Sequence, residues 1–216
     1  MNILVAGGTG FVGNPLVKSL LSRGDSVTVL TRSIEKAQTI FPEKTPQFLT
    51  ALSTLKDLNE FDAVINLAGE PIFDKRWTIQ QKEKLRHSRI NLTQQIVQLI
   101  NQSEHPPFLI SGSATGIYGD RGEYVITEDT HPSSQFTAQL CIDWENAAKQ
   151  ANTRVCLVRT GLVLSPKGGA FAKMLPLYRF GLGGKLGNGK QYWSWIALEA
   201  VSYTHLRAHE TRHDLV

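Results

Sequence analysis

The chain has 216 residues, 41% of them hydrophobic and 19% charged, which is enough apolar content to bury a core. Its formal net charge of +4 is spread along the sequence with no basic run, which argues against a nucleic-acid-binding face and suits anionic small molecules. No apolar stretch reaches the length of a membrane span, and Cys141 and Cys156 are too few for a disulfide framework. The first predicted strand begins at Asn2 and leaves no room for a signal peptide, so the expectation is a cytoplasmic protein.

Taken in order, Asn2–Ala6 reads as a buried strand running into glycines. Phe11–Ser22 carries apolar residues at helical spacing and is closed by Arg23-Gly24-Asp25, with Gly24 as the C-cap. Ser26–Leu30 alternates β-branched residues and reads as a second strand, which completes a βαβ unit. Phe61–Leu67 is predicted as a strand, Ile79–Asn101 as a helix and Phe108–Ser111 as a strand. Ser134–Ala151 follows as a helix and Arg154–Val158 as a further strand. Strands alternating with helices predict a doubly wound α/β parallel sheet of the Rossmann type over residues 1–165. From residue 166 to 199 glycines crowd among Tyr178, Tyr192, Trp193 and Trp195. That stretch reads either as the start of an incomplete substrate lobe over the open strand ends or as a surface loop needing many turns.

The chemistry-bearing motif is Gly7-Gly8-Thr9-Gly10-Phe11-Val12-Gly13, entered from a strand and left by a helix. Gly7 and Gly8 allow the tight turn, Gly10 lets backbone approach a pyrophosphate, and Gly13 lets helix and sheet pack closely. The helix start supplies free N–H groups and the positive end of its dipole. After the second strand, where NAD-binding folds place an acid for the ribose hydroxyls, stands Leu30-Thr31-Arg32-Ser33. An acid would repel a 2′-phosphate, whereas Arg32 can pair with one in a forked geometry, with Thr31 and Ser33 adding hydroxyls. The cofactor predicted is NADP. Asn66, Leu67, Ala68 and Gly69 end the next strand at the same sheet edge and are expected to touch the cofactor's ribose and pyrophosphate.

These segments, with Asn91-Leu92-Thr93 and Ser111-Gly112-Ser113-Ala114-Thr115-Gly116-Ile117-Tyr118-Gly119, resemble the extended short-chain dehydrogenases/reductases. Leu67–Ile72, Asp74–Trp77, Ser88-Arg89, Tyr118–Gly122, Thr127–Asp129, Arg159–Gly161 and Met174–Gly184 are similar to its atypical epimerase-like branch. That branch is sometimes labelled nucleoside-diphosphate-sugar epimerase or cell-division inhibitor. The resemblance implies that Ser111 lies beside the cofactor and that Ser113 hydrogen-bonds a substrate oxygen. It also implies a tyrosine that moves the proton and a lysine four residues on. Aligning Glu145 with the family's helix glutamate puts Thr137 where that tyrosine belongs and Cys141 where the lysine belongs, and neither can do the work. Tyr118 is the candidate replacement, either as a proton donor whose pKa Arg76 lowers or as a pocket wall. Glu70, Arg76, Lys82 and Arg159 are the candidate substrate residues.

Two readings follow: an NADP(H)-dependent oxidoreductase or epimerase-like enzyme acting on a small polar metabolite, with sugar nucleotides as one class, or a non-catalytic NADP(H)-binding sensor. Neither substrate nor oligomeric state is legible. His209-Glu210-Thr211-Arg212-His213 fits a zinc-hydrolase pattern, but residues 200–216 resemble a translated sequencing adapter joined to a truncated gene. The expectation is therefore no metal site and a family resemblance that ends near Ala200.

Overall fold

A computed structural model describes residues 1–42, 45–185 and 187–201. Strands β1 (Asn2–Ala6), β2 (Ser26–Leu30), β3 (Gln47–Leu49), β4 (Ala63–Asn66), β5 (Phe108–Ala114) and β6 (Val155–Thr160) form one sheet in the order β3-β2-β1-β4-β5-β6. Every pairing in it is parallel. This is the doubly wound Rossmann order, in which the chain reverses direction across the sheet at β1 and β4 and leaves a crevice at the strands' carboxyl ends.

Because both faces of a parallel sheet are covered, successive β1 residues all face apolar neighbours. Ile3 and Val5 pack with Leu16, Val17 and Leu20 of helix α1 (Gly13–Arg23), together with Val27, Val29 and Ile110. Leu4 and Ala6 face the other way, onto Ile96, Val97 and Ile100 of helix α3 (Ile79–Gln102) and Ala148 at the end of helix α4 (Phe136–Ala148). Helix α1 ends as its sequence predicts: Gly24 donates to the Leu21 carbonyl and Asp25 to the Leu20 carbonyl, which closes the last turn.

The structure adds elements that periodicity did not reveal. Helix α2 (Ile34–Ile40) is a seven-residue element between β2 and β3, with the Ser33 hydroxyl accepting from the Lys36 N–H as its N-cap. Strands β5 and β6 run to Ala114 and Thr160, beyond their expected ends at Ser111 and Val158. A second, two-stranded parallel sheet pairs β7 (Leu162–Leu164) with β8 (Trp195–Ala197), and helix α5 (Gly169–Arg179) lies between them. Tyr192, ahead of β8, and Trp195, its first residue, are exposed.

Candidate functional site

The crevice begins at the glycine turn. Gly7 adopts φ +82°, and a Cβ there would lie 2.8 Å from the backbone of Leu67 and Ala68, so the turn presses directly on the end of β4. A Cβ on Gly13 would stand 2.2 Å from the Gly7 carbonyl oxygen, so helix α1 can start this close to the strand only with glycine. Gly10 donates to that carbonyl at 2.9 Å, whereas the Phe11 and Val12 N–H groups meet no acceptor among the described residues. Val12, at the N-cap of α1, supplies no side-chain cap. The first turn therefore presents open donors and the positive end of the helix dipole, the arrangement that receives a diphosphate. Thr9 completes the turn between Gly8 and Gly10.

At the end of β2 the three predicted residues divide. Arg32 is exposed and forms no ion pair among the described residues; the Glu70 carboxylate feels its charge without bonding it, which leaves the guanidinium's donors open to an anionic ligand. The Thr31 hydroxyl is turned inward: it donates to the Ser33 carbonyl at 3.1 Å and accepts from the Ser33 N–H. Thr31 shapes the loop that presents Arg32.

The end of β4 is fixed from below. Asn66 is fully buried, its Oδ1 accepting from the Ala68 N–H and its Nδ2 donating 2.8 Å to the Thr93 hydroxyl. That hydroxyl also accepts from Trp144 Nε1 at 3.0 Å and donates to the Arg89 carbonyl. Asn66 therefore acts on Leu67, Ala68 and Gly69 through the backbone it holds rather than by reaching into the crevice itself. Glu70 follows at the rim. Its carboxylate is held below the usual range by the Lys75 ammonium at 3.1 Å, against the opposing effect of burial.

The ends of β5 and β6 hold a polar network that spacing did not announce. Ser113 donates 2.6 Å to Glu145 Oε1. Arg159 grips both oxygens of that carboxylate at 2.8 Å, through Nε and Nη2. Its Nη1 donates 2.7 Å to the Tyr118 hydroxyl and 2.9 Å to the Glu128 carbonyl, and its guanidinium stacks over the Tyr118 ring. Burial pushes the Glu145 carboxyl up, but Arg159 and the Ser113 hydroxyl outweigh it and hold the group ionised below its ordinary range. The same carboxylate raises the Arg159 pKa further above its usual value.

Several expected site residues stand elsewhere than predicted. The cation on Tyr118 is Arg159, not Arg76, whose exposed side chain lies on the loop before α3, because β6 delivers position 159 beside β5 in register with Ser113. The Ser113 hydroxyl hydrogen is committed to Glu145, so toward a substrate Ser113 can only accept. Ser111 is fully buried within β5. Lys82 lies 5.1 Å over the Phe136 ring, beside Trp77, and does not join the Tyr118 network. In the sequence Glu145 marks only the family's helix glutamate. Its buried carboxylate organises the network, and no local pattern could have marked it. Cys141 is buried, and desolvation pushes its thiol up, so it takes no lysine-like role. The HExxH residues His209 and His213 lie outside the described residues. Among the described ones no cluster of three His, Cys, Asp or Glu side chains could hold a metal.

Helix α5 closes the crevice from the side. Cβ atoms on Gly168 and Gly169 would meet the Phe11 ring at 2.7 and 3.0 Å, and Lys173 pairs with Asp74 on the loop after β4. No helix among the described residues is long and apolar enough to cross a membrane.

Comparison with known proteins agrees with this architecture. The model of the NAD dependent epimerase/dehydratase family matches residues 3–215. The chain is 40% identical over 207 residues to the chloroplastic epimerase family protein SDR39U1 homolog of Arabidopsis thaliana, covering 92% of this chain and 59% of that protein. It is 36% identical over 208 residues to the epimerase family protein YfhF of Bacillus subtilis, covering 92% of this chain and 67% of that protein. The crystal structure of human epimerase family protein SDR39U1 with NADPH superposes with a TM-score of 0.87 at 32% identity, over 99% of this chain and 71% of that one. A UDP-glucuronic acid 4-epimerase from Bacillus cereus superposes with a TM-score of 0.82 at 21% identity, a likeness of fold. The chain spans about three-fifths of the Arabidopsis relative's length. The family match runs past Ala200 to residue 215, so the reading of residues 200–216 as foreign sequence is not borne out. Nor is the cell-division label, which none of the relatives named here carries.

Proposed function

The chain belongs to the NAD dependent epimerase/dehydratase family, and from that premise we propose that it binds NADP(H) and serves redox chemistry on a small polar metabolite, sugar nucleotides being the class its fold relatives suggest. The observation that carries the cofactor is the open donor set of the Phe11–Gly13 turn, together with an exposed Arg32 that forms no ion pair among the described residues. A relative 32% identical, described with NADPH, supports the same choice.

When bound, such a cofactor supplies hydride exchange. The chain's own contribution begins with binding: Phe11, Val12 and Gly13 N–H groups face the diphosphate, and Arg32 pairs with the 2′-phosphate. Helix α5 flanks the crevice, with Gly168 and Gly169 at its start packed on the Phe11 ring. Tyr118 holds a proton at its phenol oxygen. Because Arg159 Nη1 donates to that oxygen, the phenol's own hydrogen remains available to an acceptor in the crevice. Glu145 and Ser113 orient Arg159 for this. Glu70 and Lys82, with Arg76, form the outer rim toward which the substrate's polar groups would turn. The two free cysteines suit the reducing environment of a cytoplasm.

A second reading is an NADP(H)-binding sensor without turnover. It is favoured by one observation: Thr137 and the buried Cys141 occupy the helix positions at which a reductase would carry its acid and cation. The test is two-stage. NADPH titrated by fluorescence is expected to bind more tightly than NADH. NADPH oxidation followed over a panel of carbonyl compounds and sugar nucleotides then separates the readings, with turnover lost in Tyr118→Phe for the enzyme and no turnover at all for the sensor.

A further inference from the structure

We propose that helix α5 is a gate beside the diphosphate site, hinged at Gly168-Gly169 and latched by Lys173 on Asp74, and that opening of this latch sets how fast NADP(H) leaves. The inference rests on the NADP(H) reading above and concerns the exchange of that cofactor rather than a further contact to it.

One helix touches both banks of the crevice. At its start Gly168 and Gly169 sit on the Phe11 ring, where an added Cβ would stand 2.7 and 3.0 Å from ring carbons. Phe11 belongs to the turn whose N–H groups face the diphosphate. One helical turn further on, Lys173 reaches the opposite bank. Its ammonium pairs with the Asp74 carboxylate and donates to the Phe73 carbonyl at 3.4 Å, both on the loop that follows β4. These partners are 99 residues apart in sequence, so the pair joins two separate segments across the crevice. The neighbouring pair of Lys75 with Glu70 spans only five residues and stays within the loop.

The bridge is lightly held. None of the eleven residues of α5 is buried, so little apolar burial opposes its displacement. Pro176, inside the helix, contributes no N–H to its hydrogen-bond ladder. Gly169 lies at φ +71° and follows an extended Gly168, which puts the two residues of greatest backbone freedom at the end that rests on Phe11. At the other end the Lys173 and Asp74 side chains are 55% and 47% exposed. An ion pair so placed is weak, is screened by salt and breaks readily. A hinge on one bank and a weak, charge-based fastening on the other suit a segment that must release when a dinucleotide enters or leaves.

The test reads NADPH release from the full chain in stopped flow, as the loss of bound-nucleotide fluorescence when excess NADP⁺ displaces it. Asp74→Asn and Lys173→Met are each expected to speed release about two- to fivefold, the range an exposed ion pair allows. The joint reversal of Asp74→Lys with Lys173→Asp should return the rate to within about twofold of the native chain. The sign at Asp74 separates a latch from simple electrostatics. If the two side chains act only as point charges on an anionic cofactor, loss of the Asp74 carboxylate slows release while loss of the Lys173 ammonium speeds it. Opposite signs, or release unchanged in both variants, would overturn the gate. Salt supplies a second measurement, in which raising ionic strength should speed release more in the native chain than in Asp74→Asn; equal acceleration counts against the latch. If the native chain binds no NADPH, the NADP(H) reading fails and this inference falls with it, whereas tight binding with unmoved release rates removes the gate alone.

Discussion

The two sides of the crevice are built by opposite means. Around the glycine turn, binding capacity comes from backbone: N–H groups at Phe11 and Val12 that are unpaired among the described residues, and glycines whose missing side chains let α1 and β4 meet. At the ends of β5 and β6 it comes from side chains, with Ser113, Tyr118, Glu145 and Arg159 drawn from four separate segments into one chain of hydrogen bonds. A backbone-built site depends on shape and fails abruptly when an atom is added. A side-chain network depends on charge balance and responds to pH. The contrast yields a graded set of expectations.

The largest effect is at Gly13. A methyl group there meets a backbone carbonyl that no rotamer change can move. Gly13→Ala should therefore cost about 3 kcal/mol or more of stability and abolish measurable NADPH binding, as followed by thermal unfolding and titration. Next comes the polar hub: Thr93→Val leaves the Asn66 and Trp144 donors buried without an acceptor, an expected loss of about 2–4 kcal/mol in denaturant unfolding.

Glu145→Gln strips the charge from the network and should cost about 2–3 kcal/mol, below the range for a sealed pair because the Arg159 side chain is 23% exposed. The pH dependence has a definite sign. Glu145 is depressed from an ordinary value of 4.5, so its stabilisation is complete above that pH and is lost as pH falls through the lowered value. Melting temperature should fall more steeply in acid for the native chain than for Glu145→Gln. Parallel curves would place the acid sensitivity elsewhere. The smallest effect is Tyr118→Phe, with about 1 kcal/mol lost from the bond to Arg159 and NADPH affinity within about twofold.

The same contrast explains what the sequence could disclose. β1, α1, β2 and the glycine turn are legible because their determinants are local: a strand, a turn and a helical stripe within thirty residues. Arg32 is legible because it occupies the position where an acid is expected. Helix α2 and strand β3 escaped notice because seven and three residues give too little periodicity. Glu145 escaped for a different reason. Its partners Ser113 and Arg159 lie 32 and 14 residues away in sequence, and only the β5–β6 register and the packing of α4 bring them together. Thr93 likewise joins residues 27 and 51 positions distant. Pairing Tyr118 with Arg76 failed because sequence proximity to the third cofactor-facing strand says nothing about which strand end lies beside Tyr118.

On this reading the backbone turn and Arg32 together select NADP(H). Titration of the native chain and of Arg32→Ala with NADPH and NADH tests it directly. The expected result is that the native chain prefers NADPH by ~10-fold or more, that Arg32→Ala loses this preference, and that NADH affinity is unchanged, since a charge-assisted pair contributes about 1.5–3 kcal/mol. Equal affinities in the native chain, or a preference that survives Arg32→Ala, would contradict it.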